Sequence, residues 1–240
     1  PDRDPAHRII IALDYPRLEP ALDLAARLGP RVGMLKVGLE LFYSAGLAAL
    51  REPVSRGARV FFDAKLYDIP NTVHAAAAAA ARLGVSMLNV HCLAGRAVMR
   101  AAKEGAARGA REVGLPPPLV IGVTIITSLR DAELRTELGL RRRAATAVPA
   151  LAALAREAGL DGVVAAATEV PAVKRACGPG FLAVTPGVRP TWAAQDDQAR
   201  TATPREALAA GADYLVIGRP ITRADDPAAA LERLLRELSE

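Results

Sequence analysis

Short apolar runs recur along this chain, and each is followed by a longer segment whose apolar residues return every three or four positions. Eight such runs occur: RIIIALD (8–14), GMLKVG (33–38), RVFFDAK (59–65), SMLNVH (86–91), LVIGVT (119–124), GVVAA (162–166), LAVTPG (182–187) and DYLVIG (213–218). Between them, segments such as 19–28, 73–83, 144–158 and 226–238 are rich in Ala, Leu, Arg and Glu at helical spacing. Strands that alternate with helices must run parallel, and near-continuous apolar strands are covered on both faces. A closed barrel and a doubly wound sheet both satisfy this. Eight units in 240 residues match the barrel, and no G-x-G-x-x-G follows the first strand as a dinucleotide fold would require. The pattern therefore predicts the α/β class, a (β/α)8 TIM barrel, with residues 1–240 forming one domain. The alanine run 75–81 predicts a helix whose small side chains let it lie close against the barrel or a second subunit.

Composition narrows this picture. With 51% apolar and 24% charged residues, the chain can bury one large core. No run of 18 apolar residues is free of a charge or a Gly/Pro break, and PDRDPAHR at the start lacks the apolar stretch of a signal peptide. A cytoplasmic protein with no membrane partner is expected. Cys92 and Cys177 fit no metal spacing and are expected to be reduced and structural. The net charge of +5 is modest and aromatic residues make up only 4%, so nucleic acid is not an expected partner. The basic run Arg141, Arg142, Arg143 reads as a solvated face ahead of a helix. More informative is the use of 27 Arg against four Lys, namely Lys36, Lys65, Lys103 and Lys174. A chain that writes almost all its positive charge as Arg retains lysines where a guanidinium cannot serve.

In a barrel enzyme the site is built at the C-terminal ends of the strands. There the sequence offers Asp14, Lys36, Asp63 with Lys65, His91, Thr124 to Ser128, Thr185 with Arg189, and Gly218 with Arg219. Asp63 and Lys65 are two apart on one strand, so they share a face that Lys36 can reach from the next strand. Asp68 follows in the turn before a helix that Pro70 can open at its first position. An alternating array of Lys36, Asp63, Lys65 and Asp68 is the expectation. An ion-pair plug at the barrel mouth is the alternative, although buried ion pairs are a poor source of stability.

Such an array constrains the chemistry. Schiff-base catalysis needs a lysine that gives up its proton, whereas flanking carboxylates favour the ammonium. Lys65 is therefore expected as a charged donor or general acid, suited to protonating a carbanion. A divalent metal on Asp63 and Asp68 would sit beside two ammonium groups, so metal-free chemistry is expected. The loops after strands 7 and 8, TPGVRP and VIGRP, lie where barrels commonly bind phosphate. Gly218 allows close backbone approach, and Arg189 and Arg219 offer planar forks to phosphate oxygens. The long polar segment 188–203 is expected to act as a lid.

These residues resemble one family, the bacterial type of orotidine 5'-phosphate decarboxylase. DAKLYDIPNT matches its D-x-K-x-x-D-I-P-N-T pattern, joined by ALD, KVG, NVH, VTIITS, TPGVRP, DDQAR and YLVIGRPIT in the family's order from Ala12 to Thr222. The resemblance implies decarboxylation of orotidine 5'-phosphate to uridine 5'-phosphate by a homodimer without cofactor or metal. It implies that Lys65 protonates C6 of the pyrimidine and that Asp63 holds Lys65 near the substrate carboxylate. Asp68 and Thr72, with Ile69 between them, would reach the neighbouring subunit's site. Asp14 and Lys36 match ribose-binding positions, and Thr127 and Ser128 match positions that contact the pyrimidine. Arg189, Gln198, Gly218 and Arg219 match the phosphate clamp. His91 falls in a similar strand, where packing is its plainer role. The nearest alternative is a magnesium-dependent sugar-phosphate decarboxylase or aldolase on the same scaffold, which carries an acidic metal ligand where this chain has Lys36.

Overall fold

The computed structural model describes residues 4–193 and 201–239. Its eight strands are β1 (Ile9–Ala12), β2 (Met34–Val37), β3 (Val60–Leu66), β4 (Met87–His91), β5 (Leu119–Val123), β6 (Gly162–Val164), β7 (Leu182–Thr185) and β8 (Tyr214–Ile217). Each pairs in parallel with the next, and β8 pairs with β1, which closes the barrel. The helices are α1 (Leu18–Leu28), α2 (Leu39–Ala45), α3 (Ala48–Ser55), α4 (Pro70–Arg82), α5 (Arg96–Glu112) and α6 (Asp131–Thr136). They continue with α7 (Ala144–Glu157), α8 (Val170–Cys177), α9 (Pro204–Ala209), α10 (Arg219–Thr222) and α11 (Pro227–Ser239). The (β/α)8 expectation is met, with all eight strands where the apolar runs lie. Among the described residues no helix is long and apolar enough to cross a membrane.

Period-two alternation divides each strand between two cores. Ile10, Met34, Phe61, Met87, Ile121, Val184 and Tyr214 fill the barrel interior. Their neighbours, including Ile9, Ile11, Leu35, Leu88, Val120 and Leu215, face the helices in the larger outer core. The interior is thus plugged by side chains, and only the strands' C-terminal ends remain open for a site.

Pro70 does occupy the first turn of α4, where its missing N–H costs nothing. The alanine helix packs closely, but against α5. A Cβ placed on Gly105 or Gly109 would lie 2.2 and 2.1 Å from the carbonyl oxygens of His74 and Ala78, so only glycine permits this contact.

Lys103 and Lys174 also do work that an arginine would do poorly. Each bonds an aspartate just before a strand, Asp161 and Asp213 respectively, at 2.6 Å. Those carboxylates in turn accept backbone N–H groups of Val120 and Ala183 at 2.7 Å. The Lys174 ammonium additionally donates to the carbonyls of Pro179 and Phe181, at 3.0 and 2.9 Å. Three acceptors around one nitrogen suit a compact ammonium and not a planar fork. These pairs brace the end of the barrel opposite the site.

Candidate active site

At the strands' C-terminal ends lies a cavity of about 750 Å³, within the range of small-molecule sites. Lys36 rises into it from β2, only 8% exposed. Its ammonium lies 3.0 Å from Asp14 Oδ1 and 3.4 Å from Asp63 Oδ2. Gly38 makes room for this pair, because a Cβ there would come within 2.8 Å of Lys36 Nζ and 3.1 Å of Asp14 Oδ1. On β3, Asp63 Oδ1 accepts from Lys65 Nζ at 2.7 Å. Asp63 thus holds one ammonium on each oxygen.

The strand does not deliver Lys65 by regular pleating. Register with β4 runs from Phe62 opposite Leu88 to Leu66 opposite Val90, so Asp63, Ala64 and Lys65 together face the single residue Asn89. Lys65 has φ of 48°, and it is the one non-glycine residue with positive φ among those described. That conformation costs a non-glycine residue about 1 to 3 kcal/mol and marks a constrained position. The Lys65 N–H, turned out of the ladder by the bulge, donates to Asn89 Oδ1 at 2.7 Å. Asn89 Nδ2 in turn donates to Asp63 Oδ1 at 2.7 Å.

Charge state follows from this arrangement. For Lys36, burial alone would favour the neutral amine, but the carboxylates of Asp63 and Asp14 outweigh it and push its pKa above the usual lysine value. For Asp63, burial opposes ionisation, yet Lys36, Lys65 and the hydrogen bond from Asn89 hold its carboxyl below the usual range. A depressed carboxylate contributes stability above its unfolded pKa and loses it as pH falls through the folded value. A raised lysine contributes below its unfolded pKa and loses it as pH rises through the folded value. The network's contribution is therefore expected to be intact between about pH 4 and pH 10 and to fall away outside that window. Thermal melts of wild type and Asp63→Asn across pH check this, since the variant should lose the acid limb belonging to Asp63. His91, at the end of β4, is held neutral by burial first and then by the Lys65 ammonium, with Asp63 opposing. Its ring packs on Tyr67 at 5.4 Å.

Thr127, Ser128, Arg189, Gly218 and Arg219 line the same cavity as Asp14, Lys36, Asp63, Lys65 and His91. Gly218 caps α10 with no side chain in the way. Two expectations change. Asp68 is exposed, with its Oδ1 accepting the Ile69 N–H at 2.6 Å, and within one protomer the array is completed by Asp14 instead. Ile69 and Thr72, expected to reach a neighbouring subunit's site, are exposed and lie outside the cavity of their own protomer. Thr124 and Thr185 are buried and do not line the cavity, and Thr124 commits its hydroxyl to the carbonyl of Val164 at 2.7 Å. Gln198 and the middle of the expected lid lie outside the described residues; the base of that loop is pinned where Arg189 N–H donates to the Ala202 carbonyl at 2.9 Å. Asn89 escaped notice in the sequence, though period two from Met87 through Asn89 to His91 puts it inside the barrel. A lone polar residue in that buried run was the available signal.

Among the described residues no group of three or more His, Cys, Asp or Glu side chains could hold a metal ion. The Lys36 ammonium sits between the carboxylates of Asp14 and Asp63.

Residues 7–234 match the model of the Orotidine 5'-phosphate decarboxylase / HUMPS family. The chain is 54% identical over 232 residues to orotidine 5'-phosphate decarboxylase of Alkalilimnicola ehrlichii, covering 97% of this chain and 96% of that one. It is 52% identical over 231 residues to the enzyme of the same name from Moorella thermoacetica, covering 96% and 92%. The crystal structure of orotidine 5'-phosphate decarboxylase from Lactobacillus acidophilus superposes with a TM-score of 0.83 at 37% identity, covering 97% of this chain and 99% of that one. By fold and sequence alike, this chain belongs to the orotidine 5'-phosphate decarboxylase / HUMPS family.

Proposed function

We propose that this protein decarboxylates orotidine 5'-phosphate to uridine 5'-phosphate, closing de novo pyrimidine nucleotide synthesis, with Lys65 as the proton donor. The observation that carries the reading is one buried carboxylate, Asp63, gripped by two ammonium groups in a cavity large enough for a nucleotide. In the proposed step the bond from C6 to the carboxylate breaks, carbon dioxide leaves and the electron pair stays on C6. The Lys65 ammonium gives C6 its proton and recovers one from solvent. Asp63 pairs with the Lys65 ammonium and disfavours a second anion beside it, which acts on the substrate carboxylate and is relieved as carbon dioxide departs. Asp14 and Lys36 serve the ribose, Thr127 and Ser128 the pyrimidine, and Arg189, Gly218 and Arg219 the phosphate. Gln198 would join them from the loop. Binding the remote phosphate supplies energy that assembles the site around the reacting carbon.

The proposal includes a homodimer. Leu39, Tyr43 and Leu47 on and after α2, with Tyr67 and Ile69 after β3, are large apolar side chains between 43 and 81% exposed. Leu39, Tyr43 and Leu47 also line an apolar hollow of about 610 Å³ among α2, α3 and α4. A patch of this kind is typical of an interaction surface. Docking a second copy there would carry Asp68 and Thr72 toward the partner's cavity. One barrel domain spanning the chain and a cytoplasmic setting belong to the same proposal.

A magnesium-dependent sugar-phosphate enzyme of the same family is disfavoured by Lys36, whose charge occupies the place of an acidic ligand. Orotidylate should lose its ultraviolet absorbance on incubation with the protein, at the same rate with and without EDTA. Turnover that vanishes with chelator and returns with magnesium would sink the reading.

A further inference from the structure

Asn89 is 1% exposed, carries no charge and lies on the strand next to the one that bears Asp63 and Lys65. We infer that Asn89 is the positioning residue of the site, a two-ended peg that sets the direction in which Lys65 presents its ammonium. This rests on the reaction proposed above.

The geometry closes a ring. Asn89 Oδ1 accepts the Lys65 backbone N–H, the Lys65 ammonium bonds Asp63 Oδ1, and the same oxygen accepts Asn89 Nδ2, all at 2.7 Å. The orientation of the carboxamide is dictated by its partners, because a backbone N–H requires the oxygen and an ionised carboxylate requires the NH₂. No smaller polar side chain offers both ends. The bulge explains the need. With three residues of β3 facing one of β4, the Lys65 N–H has lost its place in the ladder, and a buried unpaired donor would pull the backbone toward another conformation. By taking that donor, Asn89 holds Lys65 in its left-handed conformation, and by gripping Asp63 it fixes the other end of the lysine side chain. One residue on the other side of the bulge thus holds the backbone of the proton donor directly and its tip through Asp63.

Two variants test this. Asn89→Ala removes both bonds, and Asn89→Asp keeps the acceptor for Lys65 while setting a carboxylate against Asp63. Each is expected to lower kcat on orotidylate by about 10²-fold, the scale of a small misplacement of a reacting group, with KM within about threefold of wild type. Calorimetric titration with uridine 5'-phosphate should still give one site per protomer, so that lost activity is not lost folded protein. The role is overturned if either variant keeps kcat within about threefold of wild type, or if KM and the product's Kd rise in step with the fall in kcat. Should the variants not fold, the wild type decides. The Lys65 amide proton, followed by NMR exchange, is expected to exchange at least about a hundredfold more slowly than in an unfolded chain, and free exchange would overturn the proposal. A wild type inert toward orotidylate would remove the reaction reading and this role together. An active wild type with equally active variants would remove the role alone.

Discussion

Lys65→Ala is expected to lower kcat for orotidylate by about 10²- to 10⁴-fold while leaving uridine 5'-phosphate bound, because a positioned general acid contributes on that scale and this one has no substitute nearby. The other ammonium at the site, Lys36, is committed to Asp14 and Asp63 and rises from a different strand. His91 lines the same cavity, but burial and the neighbouring Lys65 charge keep it neutral and therefore a poor proton donor. Lys65→Arg is not expected to restore the rate. A guanidinium holds its proton too tightly to deliver it to carbon, and its planar fork does not fit where one ammonium meets one carboxylate oxygen. Stopped absorbance assays measure the rate and calorimetry measures the product. A Lys65→Ala protein that decarboxylates orotidylate at a rate near wild type refutes the assignment.

Mixing inactive Asp68→Ala protein with inactive Lys65→Ala protein is expected to restore activity. Asp68 stands in solvent here, outside the cavity of its own protomer and at the edge of the exposed apolar patch. If it serves the partner's site, a hybrid dimer has one site with both substitutions and one with neither. Random exchange makes half the dimers hybrid, so about a quarter of wild-type activity should return. Subunit exchange is confirmed by mass spectrometry of differently labelled chains. Full exchange without recovered activity would show that Asp68 acts within its own protomer or not at all.

The position of Asp68 shows where reading a sequence stops. DAKLYDIPNT places Asp63, Lys65 and Asp68 close together along the chain, and a strand-plus-turn reading puts all three into one array. Asp63 and Lys65 do meet, but through a bulge and a left-handed lysine that no spacing rule contains. Within its own protomer Asp68 does not join them, since Pro70 starts α4 and turns the chain outward first. Asp14, far from this stretch along the chain and exposed, takes the fourth place within the protomer because β1 and β2 are neighbours in register, Ala12 opposite Lys36. Asn89 was overlooked for the same reason. Its importance arises from what lies across the strand pair, and a single sequence does not say which residue faces a bulge.

What the sequence determined by itself was everything that depends on periodicity and local chemistry. Eight apolar runs alternating with amphipathic segments specify eight parallel strands, because apolar faces must be covered and parallel strands need crossovers. The scarcity of lysine singled out Lys36 and Lys65, and the tertiary structure shows Lys103 and Lys174 in equally specific positions. Only the closed barrel decided which charges touch. Closure sets β2, β3 and β4 side by side, so that one carboxylate can hold two ammonium groups and one carboxamide can hold the backbone between them. Those contacts join residues on different strands, and their distances are properties of the packed fold rather than of the order of residues along the chain.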